Sequence, residues 1–267
     1  MRLGGLSKKL MAVALSSVMV VSGFAGLAPA VSVSAADDTA KLRMIFTSDL
    51  HGQLTTEDYE TGKVYTTGGL SRTATLIKKA KAEVNAKNSL LFDLGDVLFD
   101  YTTDYIYDVN SSAQQPMYTA MAKMGYDAIT LGNHEFDFGL DNMARLFKMA
   151  DFPIVCANYG VQGTVLEGLV KPYVILERKG VKVGVFGLSP ALEGLVQAKN
   201  CEGVVFENPI EAAQRVADIL KNREKCDLVV CLSHLGWQGK PYSDETLIPN
   251  TRNIDIVLGG HSHSYFD

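Results

Sequence analysis

The stretch Ile129-Thr130-Leu131-Gly132-Asn133-His134-Glu135-Phe136-Asp137-Phe138-Gly139 limits what this chain can become more than any other. An apolar, strand-like run stops at a glycine. An amide, an imidazole and two carboxylates follow within five residues. Groups that bind metals and handle protons are thereby crowded at the mouth of a strand. Read alone, Asn-His-Glu is equally a polar turn. The other histidines alter that balance. The chain has five, His51, His134, His234, His261 and His263, and each follows a predicted strand with Gly, Ser or Asp close by.

The first 36 residues read as a leader rather than as part of the fold. Arg2, Lys8 and Lys9 form a basic start, Leu10 to Leu27 is apolar and uncharged, and Ala28-Pro29-Ala30 and Ser34-Ala35-Ala36 are candidate cleavage sites. This is the pattern of a secretory signal peptide. An uncleaved membrane anchor is the competing reading, but the run is near the lower length limit for a spanning helix and is diluted by Gly and Ser. With no Cys near the cleavage region, nothing points to a lipid anchor, and the expected location is extracytoplasmic. Cleavage would leave roughly 230 residues, enough for one large domain, and would take the formal charge from −5 to about −8. Such an acidic chain without a basic stripe argues against binding a nucleic-acid duplex. Cys156 and Cys231 sit in apolar runs and read as buried thiols. A disulfide between Cys201 and Cys226 is compatible with export, but its connectivity is not legible from sequence.

Beyond the leader, apolar runs and helical periodicity alternate. Strands are expected at Leu42–Thr47, Ser89–Leu94, Asp127–Leu131, Phe152–Ala157, Leu228–Leu232 and Ile254–Leu258. Lys179-Gly180 marks a hairpin between Tyr173–Arg178 and Val181–Leu188. Helical spacing covers Gly69–Ala86, Gln115–Met124, Leu140–Met149 and about Pro209–Arg223. Glu57–Thr67 reads as a loop, and Tyr101–Ser112, rich in Tyr, Asp and Thr, as a surface loop or the rim of a cleft. Strands alternating with helices give an α/β class, and the hairpin means that the sheet is not purely parallel.

Five strand ends present Asp49 and His51, Asp96, Asn133 and His134, His234, and His261 and His263. On extended backbone, residues i and i+2 point the same way, so each Asp-x-His or His-x-His pair could reach one ion. In open α/β sheets, sites form beyond the carboxyl ends of the strands. The donor set is mixed O and N without thiolate, which suits Zn, Mn, Fe or Mg-like ions better than a structural zinc site. There are more donors than one ion can use. A pair of ions about 3.5–4 Å apart, clamping the oxygens of a phosphoryl transfer, is the economical reading.

The motifs Ser48-Asp49-Leu50-His51-Gly52, Gly95-Asp96, Gly132-Asn133-His134-Glu135, Ser233-His234 and Gly260-His261-Ser262-His263, in that order, resemble those of the calcineurin-like metallophosphoesterases. Gly68-Gly69-Leu70-Ser71-Arg72, Tyr126-Asp127-Ala128 running on through Gly139, and Gly259-Gly260-His261-Ser262-His263 narrow the resemblance. They point to the secreted 5′-nucleotidase and 2′,3′-cyclic-nucleotide phosphodiesterase family, from about Leu42 to the end. The resemblance implies a four-layer αββα sandwich of mixed sheets flanked by helices. It implies two divalent ions (Zn, Mn, Mg, Fe or Co), one held by Asp49, His51, Asp96 and His263 and the other by Asp96, Asn133, His234 and His261. A hydroxide bridging the ions would attack the phosphate. His134 would contact the phosphate, with Asp137 orienting its ring, and Glu135 would be structural. Two such ions against Asp49, Asp96 and one hydroxide leave the site at about +1, which suits a phosphate despite the acidic chain.

Three departures from the family pattern stand out. His263 stands where some secreted members have Gln. Val97-Leu98-Phe99-Asp100 replaces a Gln-Gly-Thr-like phrase in the cleft wall. The family also continues past the double-His motif, so residues 37–267 would be a metal domain short of its C-terminal strands, without the domain that recognises the nucleobase. The implied activity is exported phosphoester hydrolysis of a small nucleotide, without a stable membrane anchor. A cyclic-nucleotide diesterase is the alternative within that chemistry, and a metal-binding but catalytically idle fragment the alternative outside it.

Overall fold

The computed structural model describes residues 41–264 apart from 59–60, 65, 67, 85, 99–114 and 240. The leader and the Tyr101–Ser112 loop therefore lie outside the described residues. Two sheets stack face to face. The first is parallel throughout, in the order β1-β2-β3-β4-β6, built from Arg43–Thr47, Ser89–Asp93, Ala128–Thr130, Ile154–Val155 and Val170–Lys171. The second runs β11-β10-β8-β7, built from Ile256–Gly259, Leu228–Ser233, Val181–Leu188 and Tyr173–Arg178. In it β8, β10 and β11 are parallel, and β7 joins β8 as the antiparallel hairpin expected at Lys179-Gly180. Strands β5 (Tyr159–Gly160) and β9 (Val205–Phe206) form a small antiparallel pair.

Side-chain alternation sorts each strand between two cores. Leu90 and Phe92 of β2, Val183 and Val185 of β8, and Val230 and Leu232 of β10 are fully buried in one cluster between the sheets. The intervening Leu91 packs instead with helices α1 (Leu70–Glu83), α2 (Pro116–Met124) and α3 (Gly139–Phe147) on the outer face of the first sheet. Val229 and Cys231 face α4 (Pro209–Asp218) on the outer face of the second. Each such Val, Leu or Phe removed from water is worth about 1.5–3 kcal/mol, so the period-two pattern forces two sheets and two helical layers. This is the four-layer αββα arrangement.

Local chemistry fixes the helix ends. Gln115 accepts the Tyr118 N–H at 2.9 Å at the start of α2, and Gly125, at φ 70°, closes that helix. Asn208 and Pro209 begin α4, which gives way to a single wider turn over Ile219–Arg223 rather than continuing as α-helix. There Glu224 N–H reaches back to Ile219 O at 2.9 Å, and Leu220 lies against Gly184. The strand expected over Phe152–Ala157 contracts to Ile154–Val155: Pro153 has no N–H to give to a ladder before it, and after it Ala157 N–H turns to Gly187 O of the other sheet at 2.8 Å. All four cysteines are free thiols. Cys156, Cys226 and Cys231 are buried, and Cys201 packs with the first sheet's cluster while Cys226 belongs to the second's, so no Cys201–Cys226 disulfide forms.

Candidate metal centre

The carboxyl ends of β1, β2 and β3 in one sheet and of β10 and β11 in the other open onto the same region. Loop-to-loop hydrogen bonds draw them together. Asp49 N–H donates to Gly95 O at 3.0 Å, His51 N–H to Asp96 O at 3.0 Å and Gly52 N–H to Val97 O at 2.8 Å. Across the sheets, His261 N–H reaches the Asp49 carboxylate at 3.1 Å. His234 Nδ1 lies 2.6 Å from Leu94 O, which makes Nδ1 the protonated nitrogen and turns Nε2 inward.

Among the described residues three sets of donor atoms result, each compact enough to hold an ion. They are Asp49, His51 and His263; His51, Asp96 and His134; and Asp96, His234 and His261. His234 Nε2 faces Asp96 Oδ2 at 2.9 Å, His263 Nε2 faces Asp49 Oδ1 at 3.3 Å, and the Nε2 atoms of His51 and His263 are 3.1 Å apart. His134 Nδ1 lies 2.7 Å from Asp137 Oδ2 and half-buried. The loops that carry Asp49, His51, Asp96, Asn133, His134, Asp137, His234, His261 and His263 thus converge on one centre.

The backbone route to this centre differs from the extended geometry expected from the i, i+2 spacing. Asp49, His51, Asp96, His261 and His263 have φ of 52°, 46°, 55°, 73° and 49°, so both paired motifs turn through the left-handed region. They make up five of the eight non-glycine residues with positive φ among the described residues. Such strain clusters where surrounding structure over-determines a functional geometry.

Proton affinities follow from this crowding. Burial works to lower the His234 pKa, but the adjacent Asp96 carboxylate overrides it and raises it to about 9. Burial works to raise Asp96, yet the His234 hydrogen bond and charge take it down to about 2. The Asp137 hydrogen bond raises His134. Burial lowers His51 and His261, the latter helped by His234.

The family model for calcineurin-like phosphoesterases matches residues 42–265. This chain belongs to that family. Among its relatives, the trifunctional nucleotide phosphoesterase YfkN of Bacillus subtilis is 32% identical over 97% of this chain and 19% of its own length. The 2′,3′-cyclic-nucleotide 2′-phosphodiesterase/3′-nucleotidase of Haemophilus influenzae is 35% identical over 84% of this chain and 36% of its own. The crystal structure of the YfkN phosphoesterase superposes with a TM-score of 0.71 at 33% identity, covering 84% of this chain and 73% of that one. The 5′-nucleotidase precursor of Thermus thermophilus gives 0.68 at 28%, over 84% and 43%. The chain therefore spans well under half the length of these curated relatives.

Calcineurin-like phosphoesterases use divalent metals, and the donor atoms here fit them. Buried His234 Nε2 faces Asp96 Oδ2 at 2.9 Å, and Asn133 Oδ1 and His51 Nδ1 are buried without a hydrogen-bond partner among the described residues. Each such atom is costly unless something binds it. Asp96 Oδ2 and His234 Nε2 stand 2.9 Å apart, so without a metal a proton sits between them, in the place a cation would take. A cavity of about 440 Å³ opens beside the centre, lined by Phe46, Asp49, Trp237, Asp244, Ile248 and His263.

Residue reasoning missed the supporting shell. Thr47 Oγ1 donates to Asp93 Oδ2 at 2.6 Å and contacts Tyr126 Oη at 2.8 Å, while Gly95 N–H donates to Asp93 Oδ1. Burial pushes the Asp93 carboxyl up to about 8. Asp244 accepts from Ser233 Oγ at 2.5 Å beneath the Gly259-Gly260 turn. The one signal for Asp93 was a lone carboxylate inside an apolar strand.

Proposed function

We propose that residues 37–267 form the metal-bearing domain of an exported hydrolase of nucleotide phosphoesters. The single observation that carries this reading is the convergence of five strand-end loops into compact sets of Asp and His donor atoms, beside the buried and unpartnered Asn133 Oδ1. Asp49, His51, Asp96 and His263 would hold one ion, and Asp96, Asn133, His234 and His261 the other. When bound, such a pair supplies positive charge to a phosphoryl group and lowers the pKa of water to near neutrality. Asp96, low in pKa, is the donor suited to be shared. With Nδ1 committed to Asp137, His134 presents Nε2 as the nitrogen that turns a proton toward a phosphate oxygen. The Asp137 hydrogen bond raises its pKa, which favours keeping that proton. The apolar stretch behind Arg2, Lys8 and Lys9 supports export with cleavage within residues 1–36.

Relatives named as nucleotidases and as 2′,3′-cyclic-nucleotide phosphodiesterases favour two substrate classes within the same chemistry. The full chain, loaded with Mn²⁺ or Co²⁺, should hydrolyse an aryl phosphate. A panel of nucleoside 5′-monophosphates and 2′,3′-cyclic nucleotides then separates the classes. His134→Ala should lower kcat by about 10²–10⁴-fold with metal content unchanged. Metal binding without turnover would instead mark an idle binding fragment, and absence of metal binding would sink the reading.

A further inference from the structure

We propose that Glu135 is a positioning residue that sets the spacing between candidate metal ligands by clamping the loop after β2 to the loop after β3. The inference rests on the two-metal reading above. Glu135 follows His134 directly and is 1% exposed. Its carboxylate takes in N–H groups from both loops. Oε2 accepts from Gly132 at 2.6 Å and Asp96 at 3.1 Å, and Oε1 from Val97 at 2.8 Å and, more loosely, Leu98 at 3.4 Å. The contact is reciprocal, since Asp96 Oδ1 accepts the His134 N–H at 2.9 Å. Each loop thus lends a carboxylate to the other's backbone. One loop carries Asp96 and the other carries Asn133 and His134.

The two loops touch glycine to glycine, with the Asp96 carboxylate against Gly132. A Cβ on Gly95 would lie 2.5 Å from Gly132 N, and one on Gly132 would lie 2.0 Å from Asp96 Oδ1. At that backbone-to-backbone contact the hydrogen bonds to Glu135 tie the loops together, while Val97 and Leu98 of one loop share a buried cluster with Leu131 and Phe136 of the other. Two of those bonds take the N–H groups of Asp96 and of the residue after it, and so hold Asp96 in its left-handed conformation at φ 55°. Only a carboxylate suits this role. Glutamine would keep one acceptor oxygen and turn an NH₂ donor toward N–H donors. Groups that orient ligands from behind typically affect metal affinity 10–100-fold.

The test compares the wild-type chain with Glu135→Gln by calorimetric titration of Mn²⁺, with circular dichroism for the fold and steady-state kinetics on an aryl phosphate. The expected result is a folded variant that binds Mn²⁺ about 10–100-fold more weakly. At saturating Mn²⁺ its kcat stays low while KM hardly moves. A folded variant with wild-type affinity and kcat but a lower Tm would reduce Glu135 to a packing element and overturn the proposal. Should the variant not fold, amide exchange in the metal-free wild type decides. Asp96, Val97 and Gly132 amides protected like those of β2 support the clamp, and loop-like exchange refutes it. A wild type that binds no Mn²⁺ would sink the two-metal reading itself, whereas equal binding by both proteins sinks only the role of Glu135.

Discussion

At the scale of single residues, this site crowds carboxylates and imidazoles so closely that a proton or a metal ion must sit between some of them, as between His234 Nε2 and Asp96 Oδ2 at 2.9 Å. Gly132 shows how tight the fit is, because its missing side chain is the space that Asp96 Oδ1 occupies. Gly132→Ala should displace that oxygen and weaken Mn²⁺ binding by an order of magnitude or more, for a stability loss of about 1–3 kcal/mol. Calorimetric titration beside thermal unfolding checks both, and unchanged affinity would show that Asp96 has other room. Asp137 acts on His134 through one 2.7 Å contact. That contact raises the His134 pKa, so the protonated ring is lost only as pH rises above its ordinary range. Asp137→Asn should lower that pKa and move the basic limb of the kcat profile to lower pH. A pH–rate series on both proteins reads this directly, and superimposable limbs would remove Asp137 from the mechanism.

At the scale of elements, two sheets must approach closely enough for loops from both to share one centre. Gly187 of β8 is one point of close approach. A Cβ there would lie 2.1 Å from Thr130 Oγ1 and 2.2 Å from Val155 O, on β3 and β4. The Thr130 hydroxyl already donates to Val155 O at 2.9 Å, and Ala157 N–H donates to Gly187 O at 2.8 Å. Gly187→Val should therefore push the sheets apart, at a cost of at least about 1–3 kcal/mol. Tm should fall by several degrees, and metal affinity should fall too, because His234 and His261 ride on the second sheet and Asp96 on the first. Loss of Tm with intact affinity would show that the loops hold the centre without the sheets.

At the scale of the whole molecule, metal-free stability should depend on pH with a definite sign. The folded His234 pKa is raised to about 9, so its stabilisation is complete below about pH 6.5 and is lost as pH rises through 9. His134, also raised, acts in the same sense. Burial raises Asp93 to about 8, and burial with the nearby Asp96 raises Glu135 to about 7. Ionising these two acids penalises the fold increasingly as pH climbs toward those values. His51 and His261, pulled down, penalise the fold only below about pH 6.5, and Asp96 loses its contribution only as pH falls through about 2. From pH 6.5 to 9 the shifted groups of the centre and its support thus act in one direction, and the Tm of the chelator-treated chain should decline. Metal must displace the His234 proton, so binding strengthens with pH. Metal at 100 times its Kd adds about 2.7 kcal/mol, or roughly 5–10 °C for a domain of this size. Scanning calorimetry with chelator and with Mn²⁺ across that range tests both statements. A flat or rising metal-free Tm would contradict the first.

The family and the chemistry were legible in the chain because they reside in local patterns. Period-two runs such as Leu90-Leu91-Phe92 assign each side chain to a layer, and strand ends followed by Asp, Asn or His name the donor atoms. What no local pattern carries is the meeting of Asp49 with His261, 212 residues apart, or of His51 with His263 at the same separation. The left-handed turns at Asp49, His51, Asp96, His261 and His263 were likewise invisible, since an isolated Asp or His has no reason to adopt them. The same holds for Glu135, which a linear reading leaves as a structural acid beside a ligand pair. Residue identity determined which atoms could bind an ion. Only the packing of one sheet on the other decided where those atoms stand, because loop conformation is set by the hydrogen bonds that become available when strands far apart in sequence lie side by side.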